Sequence, residues 1–403
     1  MSILKDKNIL LGITAGIAAY KSASLVRLFI KAGANVRVIM TPASKDFITP
    51  LTLSTLSKNP VYSSFVDEED GNKVWNNHVE LGLWADLFII APVTANTLSK
   101  MANGVCDNIL IATYLSAKCP VYVAPAMDLD MYKHQSTKNA LKSLTAFGNK
   151  IIPAATGELA SGLIGEGRMA EPEAIVTFIE NDVLSQLPLQ GKTILITAGP
   201  TYEAIDPVRF IGNHSSGKMG FEIAKSAANL GAEVILITGP TSQTVNHSFI
   251  KVLPIISAED MYNEVHKHYE TVDIAILAAA VADYRPKSVA TQKIKKAEAT
   301  FNIELEKTKD ILKSLGDIKT HQFLVGFALE THNELEHAKG KLKSKNLNLI
   351  VLNSLQDEGA GFGVSTNKVT FITSKNKVIE HTLKSKAEVA RDLMQQILKQ
   401  LHA

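Results

Sequence analysis

The sequence predicts an α/β protein built from two Rossmann-like, doubly wound parallel-sheet domains in tandem. Two observations predict this fold. Short apolar segments alternate with amphipathic helical segments along the chain, which is typical of parallel sheets covered by helices on both faces. In addition, three segments of the first half resemble three segments of the second half, in the same order and at a spacing of about 190 residues.

The first two pairs of similar segments are a strand with its turn and a helix end with the next strand. KNILLGITAG (7–16) resembles KTILITAGPT (192–201), because in both an apolar strand runs into a Thr-Ala-Gly turn. KAGANVRVIMT (31–41) resembles NLGAEVILITG (229–239), in which a glycine at the end of a helix precedes a second strand. Each half therefore repeats the order strand, loop, helix, strand.

The third pair locates the loops that follow the strands. WADLFIIAPVTANT (84–97) and TVDIAILAAAVADY (271–284) are apolar strands that end in small residues, and ligands bind such sheets at the carboxyl ends of strands. An alternative is that two unrelated domains share a generic pattern, which also gives two domains. The boundary is placed in NDVLSQLPLQGK, where a proline and a glycine interrupt the pattern, so the predicted domains are 1–190 and 191–403.

Composition limits the classes of partner. The chain has 403 residues, of which 46% are hydrophobic and 20% charged, so it can bury two cores. A net charge of +2 provides no large basic field for nucleic acid, and no apolar run reaches the roughly 18 residues of a membrane span. We expect no nucleic-acid or membrane partner. Two cysteines are too few for a disulfide framework and no signal peptide is recognised, so a cytoplasmic location is expected.

The segment GNHSSGKMG (212–220) has the composition of a phosphate-binding loop. It is not a Walker A motif, because Met219 stands where that motif needs a hydroxyl residue to bind magnesium. Ser215, Ser216 and Gly217 can still bring backbone N–H groups to an anion at the start of the helix that follows. The alternative is a serine-capped helix after a polar loop.

The first half carries weaker signals of a nucleotide site. GITAGIAAYK lacks the G-x-G-x-x-G fingerprint, so a mononucleotide phosphate held at Thr14 and Gly16 is favoured over a dinucleotide. Thr94 and Asn96 follow a strand, where they either bond a flavin edge or cap the next helix. His78 alone is a weak signal, because a single histidine is more often a packing or surface residue.

Across essentially the whole chain, these motifs resemble the bifunctional phosphopantothenoylcysteine decarboxylase and phosphopantothenate–cysteine ligase of coenzyme A biosynthesis. In the first half the resemblance lies in GIAAYK, HVELG, APVTANT, PAM with MY, and GEGRM. In the second half it lies in ITAGPT, DPVRFIGNHSSGKMG, AAAVADYRP, KIKK and GFALET. The resemblance implies an FMN-dependent decarboxylase domain at 1–190 and a CTP-dependent ligase domain at 191–403.

For the ligase half, the resemblance implies that CTP, with Mg²⁺, activates 4′-phosphopantothenate as an acyl-cytidylate, which the amine of cysteine then attacks. Asn213 is expected to hydrogen-bond this intermediate, and Lys293 to meet the triphosphate. The alternative for the lysine-rich segments is a solvated surface. The other expected substrate-binding residues are Arg209, Ala278, Ala279, Asp283, Asp310, Phe327, Lys341 and Lys345.

For the decarboxylase half, the resemblance implies that FMN oxidises the cysteinyl side chain of phosphopantothenoylcysteine, carbon dioxide leaves, and the product is reduced to 4′-phosphopantetheine. His78 matches the catalytic histidine and Ser161 stands in the flap. FMN is expected at Thr14, Gly16, Thr41, Thr94 and Asn96, and substrate at Asp128, Met131 and Arg168.

The chain departs from the pattern of this family twice. Asp128 replaces an asparagine that binds the substrate carboxylate, and Ser161 replaces a proton-donating cysteine. The first half is therefore either a complete decarboxylase, an oxidative decarboxylase or a non-catalytic scaffold. A nicotinamide oxidoreductase is disfavoured, because neither half has its fingerprint. The resemblance also implies homo-oligomers: trimers of the first half, dimers of the second and a dodecamer as a whole.

Overall fold

The structure, a computed structural model, describes residues 2–69, 72–295, 302–330, 332–354, 361 and 363–402. The chain forms two compact units, Met1–Leu184 and Ser185–Ala403. The boundary predicted from the sequence, after residue 190, lies a few residues beyond this division. Lys296 and Thr331, the last residues of the KIKK and GFALET motifs, lie outside the described residues.

Unit 1 is a parallel sheet with helices on both faces. Its elements in chain order are β1 (Asn8–Ile13), α1 (Ser22–Lys31), β2 (Asn35–Met40), α2 (Pro50–Ser57), β3 (Val61–Tyr62), β4 (Val66–Glu69), β5 (Asn72–Trp75), α3 (His78–Trp84), β6 (Leu87–Val93), α4 (Ala95–Asn103), α5 (Ile109–Ser116), β7 (Val121–Pro125), α6 (Leu129–Lys133), α7 (Gln135–Ala146), β8 (Lys150–Ile151), β9 (Ala155–Glu158), β10 (Ile164–Arg168) and α8 (Pro172–Ser185). The six-stranded sheet has the order β3-β2-β1-β6-β7-β8, with every pair parallel.

The sheet of unit 1 is buried on both faces, as its continuous apolar strands predict. In β1, Leu11 packs into the core of one face and Leu10 into the core of the other. In β6, Ile89 and Phe88 divide in the same way. Alternate residues of a strand point to opposite faces, so a strand with helices on both sides needs apolar residues at every position.

Unit 2 repeats this architecture with a larger sheet. Its elements are β11 (Thr193–Ala198), β12 (Tyr202–Ala204), β13 (Phe210–Gly212), α9 (Lys218–Asn229), β14 (Glu233–Thr238), β15 (Ile250–Pro254), α10 (Ala258–Tyr269), β16 (Ile274–Leu277), β17 (Tyr284–Pro286), β18 (Leu305–Lys307), α11 (Ile311–Ile318), β19 (Phe323–Glu330), α12 (Glu334–Ser344), β20 (Leu349–Ser354), β21 (Thr366–Asn367), β22 (Val369–Thr373), β23 (Val378–Glu380), β24 (Lys384–Ser385) and α13 (Lys386–Leu401).

The sheet of unit 2 has the order β15-β14-β11-β16-β19-β20-β22-β23 and is parallel up to β20. The two edge strands β22 and β23 are antiparallel, which the prediction of a parallel sheet did not include. They form a hairpin whose turn contains Asn376 at a φ of 59°. Asparagine tolerates this left-handed conformation better than most residues, which allows the chain to reverse there.

Each sheet reverses its strand order at one position. In unit 1 the reversal lies between β1 and β6, and in unit 2 it lies between β11 and β16. Such a switch point opens a crevice at the carboxyl ends of the strands, where ligands bind. None of the described helices is long and apolar enough to cross a membrane.

Candidate functional site

Unit 1 has a cavity of about 920 Å³ at the carboxyl ends of its strands. This volume lies within the range of about 300–1,000 Å³ that small-molecule and cofactor sites occupy. The expected site residues that line it are Gly16, Thr41, Thr94, Asn96, Asp128, Met131 and Arg168. They come from loops after four different strands and from the β10 strand, so the fold brings together residues that are distant in the sequence.

Thr14 and Thr94 shape the crevice rather than only facing it. The Thr14 hydroxyl is buried, donates to the Pro92 carbonyl at 2.9 Å and accepts from the Thr94 N–H at 3.0 Å, joining the ends of β1 and β6. Thr14 is not among the residues that line the cavity. The Thr94 hydroxyl accepts from the Thr97 N–H at the start of α4, so the helix-capping alternative describes this residue.

The Thr41 hydroxyl oxygen is buried on the cavity side of unit 1 and has no hydrogen-bond partner among the described residues. Buried polar atoms without partners are rare and indicate an absent ligand or water. Next to it on the cavity wall lies Gly16, where an added Cβ would stand 3.5 Å from the Thr94 side chain. The donor set and the volume therefore fit a flavin mononucleotide.

Lys21 holds the end of the β9–β10 hairpin against the cavity. Its ammonium is 6% exposed and donates to the Met169 carbonyl at 3.1 Å and to the Glu171 carboxylate at 2.9 Å. Arg168 also donates to Glu171, at 2.8 Å. The Lys21 ammonium, aided by Arg168, lowers the pKa of Glu171. The sequence analysis assigned no role to Lys21, because nothing local in GIAAYK shows that the lysine is buried.

The segment that carries Asp128 packs closely against the same hairpin. The Met127 N–H donates to the Gly167 carbonyl at 3.0 Å, and a Cβ on Gly167 would lie 2.5 Å from the Met127 carbonyl oxygen. Only glycine fits there, and its φ of 143° also favours glycine. Asp128 precedes α6 and its side chain makes no capping hydrogen bond, so its carboxylate remains available to the cavity.

Ser161 and His78 are not among the residues that line this cavity. Ser161 is exposed in the turn between β9 and β10. His78 begins α3, where its ring lies 6.1 Å from that of Phe65 and 6.3 Å from that of Trp75. The His78 Nδ1 atom is buried and has no hydrogen-bond partner in the described part of the chain.

In unit 2 a smaller cavity, of about 140 Å³, lies at the start of α9. It is lined by the loop Ser215–Gly217, by Ala278 and Ala279 after β16, and by Phe327 on β19. The helix α9 approaches β11 closely, because a Cβ on Gly220 would lie 2.5 Å from that of Ala198. The SSGKMG loop therefore stands at the switch point of the second sheet.

Asn213 lies beside this cavity. Its side-chain amide donates to the carbonyl oxygens of Ala280 and Val281, both at 3.1 Å. These bonds fix the loop before α9 to the loop after β16. Asp283 is exposed and its carbonyl accepts from the Thr308 N–H at 3.0 Å.

The remaining expected cations of unit 2 lie in ion pairs or on the surface. Lys341 pairs with Glu330 at 2.7 Å and Lys345 with Asp310 at 2.8 Å, which places both lysines near the carboxyl end of β19. Burial alone would raise the pKa of Asp310, but hydrogen bonds from Lys345 and the Lys313 N–H outweigh it and the net shift is downward. Lys293 is exposed and forms no ion pair with the described carboxylates.

Arg209 is bound to a buried carboxylate. Asp206 accepts from the Arg209 Nε at 3.0 Å, from the Val208 N–H at 2.8 Å and from the Ile294 N–H at 3.1 Å. Arg209 also donates to the Ile294 carbonyl at 3.0 Å. The guanidinium and these N–H donors hold the pKa of Asp206 far below its usual range. Arg209 and Asp206 thus anchor the segment that carries Lys293.

The sequence analysis missed three polar residues of the unit 2 cavity: Asn353, Asn367 and Lys386. They come from β20, β21 and the start of α13, and no motif links them in the sequence. Across the described residues, no group of three or more His, Cys, Asp or Glu side chains could hold a metal ion.

Comparison with known proteins assigns both units to families. Residues 2–184 match the Flavoprotein family, and residues 189–401 match the DNA/pantothenate metabolism flavoprotein C-terminal domain. The chain is 44% identical over 397 residues to the coenzyme A biosynthesis bifunctional protein CoaBC of Bacillus subtilis strain 168, covering 98% of this chain and 97% of that protein. It is 51% identical over 360 residues to a cysteine/cysteine sulfinic acid decarboxylase of an unknown prokaryotic organism, covering 88% and 100%.

Solved structures resemble each half separately. The crystal structure of the C-terminal domain of a CoaBC protein is 48% identical, with a TM-score of 0.46, over 54% of this chain and 99% of that one. A PPC decarboxylase mutant complexed with pantothenoylaminoethenethiol is 35% identical, with a TM-score of 0.40, over 44% and 99%. Because relatives more than 40% identical extend over nearly its full length, the chain belongs to the CoaBC family of bifunctional coenzyme A biosynthesis proteins.

Proposed function

We propose that the chain catalyses two successive steps of coenzyme A biosynthesis. Unit 2 ligates cysteine to 4′-phosphopantothenate with CTP, and unit 1 decarboxylates the phosphopantothenoylcysteine to 4′-phosphopantetheine with FMN. The observation that carries this proposal is the 44% identity to a bifunctional relative over 98% of the chain. The two cavities at the two switch points give each activity a site of its own.

In unit 1, FMN when bound supplies the two-electron oxidation that makes loss of carbon dioxide easy, and the later reduction. Gly16 and the Thr41 hydroxyl are proposed to hold it, with Asn96 on the same cavity wall. Lys21 fixes the hairpin end through the Met169 carbonyl, so Arg168 is positioned at the cavity for a substrate anion. His78 and Ser161 are proposed to act on the substrate, in a homo-oligomer that brings them to a cavity.

In unit 2, the amide of Asn213 is proposed to bind the acyl-cytidylate, because it is already positioned beside the cavity by two carbonyl oxygens. A triphosphate leaving group needs cations to take up its charge, and CTP is proposed to bring Mg²⁺ with it. Lys293, Lys341 and Lys345 are proposed to face the nucleotide, together with Asp283, Asp310 and Arg209. Ala278, Ala279 and Phe327 would contact the cytidine. The enzyme is proposed to act in the cytoplasm.

A coupled assay tests this function. Purified protein is incubated with CTP, and CMP release is measured with and without phosphopantothenate and cysteine. The proposal expects yellow protein and CMP only when both acceptors are present, followed by phosphopantetheine in mass analysis. CMP release that does not depend on phosphopantothenate would contradict the ligase assignment, and protein without flavin would contradict the decarboxylase assignment.

A second function for unit 1 is favoured by one observation. The 51% identical relative is described as a cysteine/cysteine sulfinic acid decarboxylase, so the small amino acids themselves are candidate substrates. Carbon dioxide release from cysteine, cysteine sulfinic acid and phosphopantothenoylcysteine is therefore compared at equal concentration. A preference for either free amino acid replaces the phosphopantothenoyl assignment for unit 1, and the ligase assay then decides unit 2 independently.

The substitutions at Asp128 and Ser161 are tested in the same system. Anaerobic incubation with phosphopantothenoylcysteine should give phosphopantetheine and oxidised flavin if Ser161, or an acid near it, donates the proton. A product two hydrogens lighter with bleached flavin would identify an oxidative decarboxylase, and Ser161→Cys should then restore the reduced product. Asp128→Asn should preserve or improve substrate binding, because it removes a like charge beside the substrate carboxylate.

A further inference from the structure

The cavity at the start of α9 is too small for a nucleoside. Its volume of about 140 Å³ is less than half of the roughly 300 Å³ at which pockets for whole small molecules begin. The residues around it include Lys218 on α9 and three side chains from distant parts of unit 2, namely Asn353, Asn367 and Lys386. A polar pocket of this size fits one small charged group of a larger ligand.

Two lysines give this pocket a positive charge that no described carboxylate balances. Lys386 is 5% exposed, and its ammonium donates to the Gly361 carbonyl at 3.2 Å. Neither Lys386 nor Lys218 pairs with an acidic residue of the described ranges. Burial and the charge of Lys218 together lower the pKa of Lys386. Lys21, the buried lysine of unit 1, has a carboxylate partner, so the arrangement at Lys386 is unusual within this chain.

The helix ends add to this charge. Lys386 is the first residue of α13, directly after the capping residue Ser385, where the positive end of the helix dipole disfavours a cation. α9 begins after Gly217 and no side chain caps its first N–H groups, which leaves donors at the wall of the pocket. An anion in the pocket would relieve both unfavourable arrangements.

Two amide groups supply a second, independent observation. Asn367 is 3% exposed, and its side-chain oxygen is buried without a hydrogen-bond partner among the described residues. The side-chain oxygen of Asn353 is in the same condition. Both residues line the pocket. Buried amides without partners are costly to the fold, which indicates a polar ligand that completes their hydrogen bonds.

We propose that Lys218, Lys386 and Asn367, with the first turn of α9, form a binding pocket for a phosphate group of a ligase substrate. The proposal rests on the function proposed for unit 2, which has two phosphate-bearing substrates. The triphosphate of CTP and the phosphate monoester of 4′-phosphopantothenate share the required chemistry, and cysteine lacks it.

Isothermal titration calorimetry on the full chain tests the pocket with CTP and with 4′-phosphopantothenate as separate probes. Lys386→Met keeps the length of the side chain but removes its charge. We expect it to weaken one of the two probes by about tenfold or more, because charge-assisted hydrogen bonds to phosphate are the strong ones. The affected probe identifies the source of the phosphate. The KM for cysteine and the flavin absorbance should not change.

Matched variants keep the test decisive. Lys386→Arg should retain most of the affinity, and Lys225→Met, which removes an exposed lysine of α9 paired with Glu222, should leave it unchanged. Asn367→Asp should weaken the same probe as Lys386→Met, because the added carboxylate repels phosphate. This second variant decides the question if Lys386→Met does not fold. Unchanged affinity of folded variants for both probes overturns the pocket, whereas wild-type protein that binds neither probe overturns the ligase assignment.

Discussion

The buried Lys21 ammonium predicts an asymmetry between two substitutions in unit 1. Lys21 is 6% exposed, whereas its partner Glu171 is 51% exposed. Glu171→Ala leaves the buried ammonium with one acceptor, the Met169 carbonyl. Removing one partner of a fully buried pair costs about 3–5 kcal/mol, and because water reaches Glu171 we expect about 2 kcal/mol here.

Lys21→Met removes the buried charge itself. It loses two hydrogen bonds but leaves only a half-exposed carboxylate, so we expect a cost of about 1 kcal/mol. The double variant should cost about the same as Lys21→Met, because no ammonium remains to be stranded. The coupling between the two sites is therefore expected to be about 1–2 kcal/mol, with Glu171 the more damaging single change.

Tryptophan fluorescence measures these differences in unit 1 alone. The chain has two tryptophans, Trp75 and Trp84, and both lie in this unit. With a urea slope of about 1–3 kcal/mol per molar, a loss of 2 kcal/mol moves the unfolding midpoint by about 1 M. Glu173→Ala, at an exposed position of α8, is the control. The reasoning is refuted if Lys21→Met is the more damaging change, or if the two losses simply add.

Three further predictions concern unit 2. Asn213→Ala should leave the circular dichroism spectrum unchanged and lower kcat/KM of ligation by about 2–4 kcal/mol, the usual effect of losing one preorganised donor; near-normal ligation would contradict its role. Lys293→Gln should lower ligase turnover and leave flavin absorbance unchanged, and loss of both would contradict the two-domain assignment. The folded-state pKa of Asp206 is lowered, so its stabilisation is present above the unfolded pKa of about 4 and is lost as the pH falls. The stability difference between wild type and Asp206→Asn, measured by denaturation, should therefore shrink from pH 5 downward; a constant difference would argue against an ionised Asp206.

The loops at the strand ends could be predicted from the sequence because their signals are local. A continuous apolar strand that ends in small residues shows where the chain leaves the sheet, and parallel strands end at one edge. Gly16 and Thr94 in unit 1, and Ala278 and Phe327 in unit 2, were found in this way or from the motifs around them, and all four line the cavities. The doubly wound fold was predicted for the same reason and is confirmed.

The two buried lysines could not be predicted, since burial is a tertiary property. Lys386 follows a serine and precedes Glu388, and the sequence SKAE is an ordinary helix start with a capping box. Its side chain is buried only because β20, β21 and α9 meet around it. For Ser161 and His78 the limit is different. A family motif carries a role but no distance, and neither residue lines the cavity of unit 1.

The two units use the same switch-point geometry but prepare it differently. In unit 1, the buried cation beside the cavity is neutralised by Glu171, so the wall of this large cavity carries little net charge from that pair. In unit 2, Lys218 and Lys386 keep their charges beside a cavity that is several times smaller. A flavin ring is large and mostly apolar, whereas a phosphate is small and anionic. The difference in volume and in charge pairing therefore matches the different ligand that each unit is proposed to bind.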